Sequence, residues 1–290
     1  MNALPRKPGK NALPVLTVMV GNTRTTAAHW SPAGKAIDRG DWATSCGGHA
    51  MARRILAAMG EGSATIVLAG VVPSVVDALE RCLSSRLQPP SYLFRFRGNL
   101  SCPLRIRPRP AYRVGDDRLT AVLGALAIDP RVPWVVLDAG TALTVNSVRP
   151  ALGTRHAGVF EGGLIVPGEQ LALSALSAGT AQLPALKPLA PRTRVPVRGC
   201  STEDAIRFGV RRAQMAAACA LARVQARLLG RGTRIVLTGG GAAALWPAIR
   251  SELKPYRPVW VPDLVHRGLV ACAPQVQSPD ASSSPELRVR

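Results

Sequence analysis

Short β-branched runs alternate along the chain with longer stretches whose apolar residues recur every three or four positions. The runs Val15–Val20, Thr65–Val72, Trp134–Asp138, Leu143–Val148 and Thr233–Thr238 predict strands. The stretches Ala50–Met59, Ser74–Leu87, Asp117–Ile128, Glu169–Leu176, Thr202–Leu229 and Ala242–Leu253 predict helices. Alternation of this kind specifies an α/β protein. Residues 1–14 and 273–290 are rich in Pro, Ser and charge, carry neither period, and are expected to be flexible tails.

Composition narrows the class. With 290 residues, 47% hydrophobic and 19% charged, the chain is globular and long enough for one large or two ordinary domains. Its apolar runs, such as Ile66–Val72, stop well short of the roughly 18 residues that cross a bilayer. The basic start and the apolar stretch Ala12–Val20 loosely mimic a secretory signal, but Pro14 interrupts the stretch and Arg24 follows closely. A first core strand fits better, and a cytoplasmic protein without a membrane partner is expected. The six cysteines form no C-x-x-C pair and the four histidines show no metal spacing, so reduced thiols are expected.

The charge sum, 37 − 17 = +20, invites a nucleic-acid reading. Against it, the arginines are scattered through every segment and only 12 aromatic residues are available to stack bases. A nucleic-acid partner is not expected, although scattered Arg would allow a salt-sensitive contact with phosphate backbones.

A weak internal repeat changes the picture more than the charge does. Val18-Met19-Val20-Gly21-Asn22-Thr23 and Val136-Leu137-Asp138-Ala139-Gly140-Thr141 are both core strands running into a Gly-Thr turn, with glycines 119 residues apart. In each half the next run, Arg24–Trp30 or Ala142–Val148, can fold back as a second strand, leaving a hairpin tip of bare amides and a hydroxyl suited to phosphate. A third turn, Thr238-Gly239-Gly240-Gly241, follows a strand and opens a helix, where unpaired amides favour an anion. Two such hairpins and a late Gly-rich turn predict a nucleoside triphosphate held between two ribonuclease-H-like domains. Neither a Walker sequence nor a G-x-G-x-x-G turn after a strand is present.

Asp116, Asp117 and Arg118 stand where a loop meets the helix Asp117–Ile128. A carboxylate there can cap the helix, or it can take the proton of an alcohol during phosphoryl transfer while the Arg holds the acceptor or developing charge. Thr202 can likewise cap the helix that it opens.

These motifs resemble the type III pantothenate kinases, of the sugar kinase, heat-shock protein 70 and actin superfamily. The resemblance covers about residues 15–270. It rests on Gly21-Asn22-Thr23, Gly115-Asp116-Asp117-Arg118, Asp138-Ala139-Gly140-Thr141-Ala142, Gly162-Gly163-Leu164-Ile165-Val166-Pro167-Gly168, Thr202 with Ala205-Ile206 and Gly209, and Thr238-Gly239-Gly240. It implies two actin-like domains, residues 15–130 and 131–272, each a five-stranded mixed sheet flanked by helices and hinged between about Ile128 and Trp134. It also implies ATP-dependent phosphorylation of pantothenate to 4′-phosphopantothenate, the first step of coenzyme A synthesis, by a homodimer. Asp117 would be the proton acceptor. Tyr112, Gly115, Asp116, Arg118 and Thr202 would line the pantothenate site, and Gly21, Asn22, Thr23, Thr141, Gly239 and Gly240 the ATP site. Asp138 would help bind a monovalent cation, potassium or ammonium, and Mg2+ would accompany the ATP.

The first phosphate loop departs from that pattern. Met19 stands where the family has an Asp, and Thr26 where it has a Lys. A thioether cannot replace a hard oxygen ligand to magnesium, and removing one preorganised electrostatic contact lowers a rate by about 10²- to 10³-fold. Asn146 also stands where relatives often carry an acid. The kinase reading therefore has two alternatives: a catalytically impaired paralogue with a regulatory or nucleotide-binding or nucleic-acid-binding role, and a kinase of this fold acting on another small alcohol or sugar.

Overall fold

The computed structural model describes residues 13–31, 33–59 and 63–274. The two expected tails lie outside these residues except for 13, 14, 273 and 274, of which Leu13 and Ala273 are buried.

A first sheet is built from β1 (Val15–Val20), β2 (Arg24–Trp30), β3 (Ala36–Ala43), β4 (Thr65–Gly70) and β5 (Tyr92–Arg95), in the order β3-β2-β1-β4-β5. β1 pairs antiparallel with β2 and parallel with β4. Both faces of β1 are covered, which is why it reads as an unbroken apolar run rather than an alternation. Leu16, Val18 and Val20 enter a core with Met51, Ile55, Val76 and Leu79 of α1 (Gly47–Met59) and α2 (Pro73–Ser84). Met19 faces the opposite way, into a core described below.

The second sheet contains β6 (Leu104–Ile106), β7 (Trp134–Ala139), β8 (Ala142–Pro150), β9 (Gly158–Pro167), β10 (Arg234–Thr238) and β11 (Val259–Trp260), in the order β11-β10-β7-β8-β9-β6. It has six strands where five were expected. The extra one is β6, which precedes the expected hinge in sequence yet pairs parallel with β9. Both sheets are mixed, as expected: β7 pairs antiparallel with β8 and parallel with β10.

Between the sheets lie α3 (Asp116–Ile128) and α7 (Leu264–Cys272), while α5 (Thr202–Leu229) and α6 (Ala242–Glu252) cover the far face of the second sheet. α4 (Glu169–Ala178) packs against α5, through Glu169 to the buried Arg211 at 2.8 Å. Every residue from Leu119 to Leu126 is buried, so α3 has no solvent face and correspondingly little amphipathicity. Its core joins Met19 and Val67 of the first sheet to Val136, Val148 and Phe160 of the second. The molecule is thus five layers, helices–sheet–helices–sheet–helices, with the middle layer shared.

Polar atoms also cross that layer. Thr17 Oγ1 donates to Ala28 O at 3.1 Å and accepts from Trp30 Nε1 at 3.0 Å. With its proton committed, it accepts from His266 Nδ1 at 2.9 Å. That fixes the tautomer: Nε2 carries no proton and accepts from Thr26 Oγ1 at 2.9 Å. Burial keeps this histidine neutral, pushing its pKa down to about 4.

Candidate active site

Two hairpin tips meet. The turn Gly21-Asn22-Thr23 joins β1 to β2, and Gly140-Thr141 joins β7 to β8. Each glycine N–H closes its own turn, Gly21 N donating three residues on to Arg24 O and Gly140 N two residues on to Ala142 O, both at 3.0 Å. Thr23 Oγ1 lies 2.8 Å from Thr141 Oγ1, both hydroxyls being exposed. The duplicated halves therefore bring their tips together at one site. The second tip is held from behind by Gly168 N, which donates to Thr141 O at 3.0 Å, so Gly162–Gly168 serves as β9 and its junction with α4.

The Gly-rich turn after β10 joins the second tip. Gly239 has φ +92°, and a Cβ there would lie 2.4 Å from Asp138 Oδ1, so no side chain fits. Gly241 N donates to Ala139 O at 2.8 Å, tying the start of α6 to the end of β7. Gly240 is exposed and faces open space.

The carboxylates occupy distinct environments. Asp138, at the end of β7, accepts no hydrogen bond among the described residues, and burial together with the Asp117 charge pushes its pKa up to about 7. An acid in that state favours a cation, which would reverse both effects. Among the described residues no cluster of three or more His, Cys, Asp or Glu could hold a metal. A lone carboxylate can nevertheless serve a cation whose other ligands are waters and phosphate oxygens, so Asp138 fits a cation at the second tip.

Asp116 and Asp117 open α3, but neither is its cap; that place belongs to Gly115. Asp116 is tied down: Oδ1 accepts from Arg97 Nη1 at 3.1 Å and Oδ2 from Gly70 N at 3.4 Å. Among the described residues the Asp117 side chain accepts from its neighbour's amide, Arg118 N, at 2.8 Å, and from no side chain. Burial raises its pKa, opposed by that amide and by the Arg118 guanidinium. A Cβ on Gly115 would sit 2.4 Å from Asp117 Oδ1, so glycine is what lets this carboxylate lie back over the turn.

Arg118 donates through Nε to Asn146 Oδ1 at 2.7 Å and lies over the Phe160 ring at 5.4 Å from its centroid. Asn146 is fully buried and gives its amide proton to Thr144 Oγ1 at 2.9 Å. A neutral amide orients the guanidinium without cancelling its charge. Tyr112, 72% exposed, stands in a single turn just before these residues. Thr202 is exposed at the first position of α5 and joins none of the other candidates by a hydrogen bond among the described residues. Capping falls instead to Ser201, whose Oγ accepts from Asp204 N at 3.1 Å.

Met19 and Thr26 form a directly opposed pair on β1 and β2. Met19 is 5% exposed and packs in the apolar core that holds Val114 and Leu119, on either side of Asp116 and Asp117. Thr26 is occupied by His266. Sequence reasoning did not single out His266 or Arg97.

The type III pantothenate kinase family model matches residues 15–223. The chain is 36% identical over 219 residues to a type III pantothenate kinase of Alkalilimnicola ehrlichii, spanning 75% of this chain and 81% of that one. It is 34% identical over 180 residues to one from Desulfovibrio desulfuricans, spanning 62% and 65%. A solved protein of Sinorhizobium meliloti, assigned as a 2-dehydro-3-deoxygalactonokinase, shares the fold at a TM-score of 0.52 and 14% identity, over 89% of this chain and 97% of that one.

Proposed function

Because the chain belongs to the type III pantothenate kinases, we propose that it transfers the γ-phosphoryl group of ATP to the primary hydroxyl of pantothenate, giving 4′-phosphopantothenate at the start of coenzyme A synthesis. The observation that carries this reading is the contact between Thr23 and Thr141, which makes one phosphate cradle of two tips far apart in sequence. ATP would lie against Gly21, Asn22, Thr23, Thr141, Gly239 and Gly240. Pantothenate would lie against Tyr112, Gly115, Asp116 and Arg118.

Asp117 would accept the hydroxyl proton as the oxygen bonds to the γ-phosphorus and the bond to the β–γ bridging oxygen breaks, releasing ADP. Its raised pKa suits a base, since a more basic carboxylate takes a proton more readily. Arg118, held by Asn146 and retaining its charge, would hold acceptor or transferring phosphoryl oxygens. Mg2+ with the ATP and a monovalent cation beside Asp138 would neutralise phosphate charge. Asp138 would hold its cation next to the second tip, where no Cβ at Gly239 crowds its carboxylate.

The lobes of this reading, residues 15–130 and 131–272, each centre on one sheet, with β6 lent by the first to the second. A homodimer is part of it: Leu164 and Ile165 of β9, Leu171 of α4, and Val224 and Leu228 of α5 are exposed apolar side chains that a second copy would cover. Among the described residues no helix is long and apolar enough to cross a membrane, and a cytoplasmic site of action belongs to the same reading. Thr202, at the free end of α5, would reach substrate in the assembled enzyme.

Protein given ATP, Mg2+, K+ and pantothenate is expected to release ADP with the appearance of a product one phosphate heavier than pantothenate, read by mass spectrometry. ADP release that does not depend on pantothenate, or none at all, would reject the reading. A second reading, the impaired paralogue, is favoured by the burial of Met19 and the engagement of Thr26; it requires nucleotide binding without turnover.

A further inference from the structure

Residue 97 follows β5 with φ +59°, in the left-handed region where Gly and Asn are at ease and a long side chain is not. Arginine nevertheless occupies it, and the side chain does one thing. Nη1 donates to Val114 O and Asp116 Oδ1, and Nη2 to Ala111 O and Tyr112 O. All four acceptors lie in the six residues leading into α3, the segment that presents Tyr112 and then Asp117. No regular strand or helix holds residues 107–115, apart from the single turn Ala111–Arg113. The guanidinium takes the place of the ladder that the segment lacks.

We propose that Arg97 is a positioning residue for the acceptor alcohol: by binding three carbonyls and the Asp116 carboxylate at once, it fixes the Tyr112–Asp116 segment against which the acceptor lies and sets Asp117 at the reacting hydroxyl. The identity of the acceptor rests on the pantothenate reading; the anchoring does not. The planar fork of five N–H donors matches this set of acceptors, whereas an ammonium reaches fewer of them from one point. Arg97 also separates the roles of two adjacent carboxylates. It pairs with Asp116 and keeps it occupied, leaving Asp117 without a hydrogen-bonded side chain among the described residues and therefore available to an incoming proton. An arginine in the left-handed region, where glycine would be less strained, fits a side chain placed for what it holds.

Arg97→Gly separates the two contributions, because glycine relaxes the backbone while removing the fork. Its melting temperature is expected to stay close to wild type, its KM for pantothenate to rise at least tenfold, and its KM for ATP to change less than twofold. Arg97→Lys is expected to recover only a minor part of the loss. Hydrogen exchange of the 111–116 amides, measured on the intact protein, is expected to quicken at least tenfold in Arg97→Gly. An unchanged pantothenate KM in an active variant, a parallel rise in both KM values, or unchanged exchange would overturn the proposal. Should Arg97→Gly fail to fold, Arg97→Lys carries the same test, and its full retention of pantothenate KM and of exchange protection would overturn it. Wild-type protein inert toward pantothenate would reject the functional reading alone, with exchange still deciding whether Arg97 anchors the segment.

Discussion

Asp117→Asn is expected to lower pantothenate-dependent turnover by about 10²- to 10⁴-fold, the usual contribution of a positioned general base, while leaving the protein folded. The two halves of that expectation have one origin. Burial raises the pKa of Asp117 in the fold, so the folded state holds the proton more tightly than the unfolded chain does. Ionisation at neutral pH therefore works against folding, and replacing the carboxylate with a neutral amide removes that penalty. Loss of rate with undiminished resistance to urea is the signature. The wild-type rate should rise with pH through the raised pKa, because only the ionised carboxylate accepts a proton, and should fall away on the acid side. Asp116→Asn makes the contrast: it weakens the contact with Arg97 and Gly70, so it should reduce pantothenate affinity and leave the acid limb in place. If Asp116→Asn removes the acid limb and Asp117→Asn keeps most of the rate, the roles are reversed.

The second large effect is expected at the Met19–Thr26 pair. Met19→Asp puts a carboxylate into an apolar core beside Val114 and Leu119, and an unpaired buried charge there should cost about 3–5 kcal/mol. Thr26→Lys alone replaces the hydroxyl that donates to His266 Nε2 with a longer ammonium that has no carboxylate across the strand. The register sets these two positions directly across from one another, so the double substitution makes an ion pair where each single one strands a charge. A double-mutant cycle in urea should show strongly non-additive costs, with the double variant more stable than Met19→Asp. Additive costs would mean that the side chains do not meet. Activity gives the second readout: if wild type is inert and the double variant phosphorylates pantothenate, the chain is a degenerate kinase. If wild type is active and the restoration adds nothing, the first tip works without either charge, and the weight placed on Met19 and Thr26 is misplaced.

The sequence displays its buried strands and long helices because their patterns are local. β1, β4, β7, β8 and β10 are apolar runs covered on both faces, and α2, α3, α5 and α6 carry continuous helical spacing. What escapes depends on partners. β3, Ala36-Ile37-Asp38-Arg39-Gly40-Asp41-Trp42-Ala43, is largely exposed and polar and becomes a strand through pairing with β2. β9 contains three glycines and reads as a loop motif until β8 is laid beside it. β6 and β11 are three and two residues long, too short for any period. α7 has nine residues and takes its meaning from the space between the sheets. The same rule divides the site. The hairpin tips and the Asp117 turn announce themselves by glycine, threonine and carboxylate in sequence. Arg97 and His266 act across gaps of up to 19 and 249 residues, and no neighbouring residue signals either. The Thr202 cap expectation was off by one: the Ser201-Thr202-Glu203-Asp204 string offers two hydroxyls, and only backbone geometry selects the first.

The central layer has a consequence for how the protein is made. α7 is the last described helix, yet it packs on α3 and on β1 and completes the core that both sheets share. A chain emerging from the ribosome can assemble the first sheet with α1 and α2 early. α3 covers part of both inner faces, but the layer between the sheets is complete only when residues 264–272 have been synthesised and have docked. Until then Thr17 of β1 lacks the His266 that it meets in the folded protein, and the share of the inner layer that α7 covers is open to water or a chaperone.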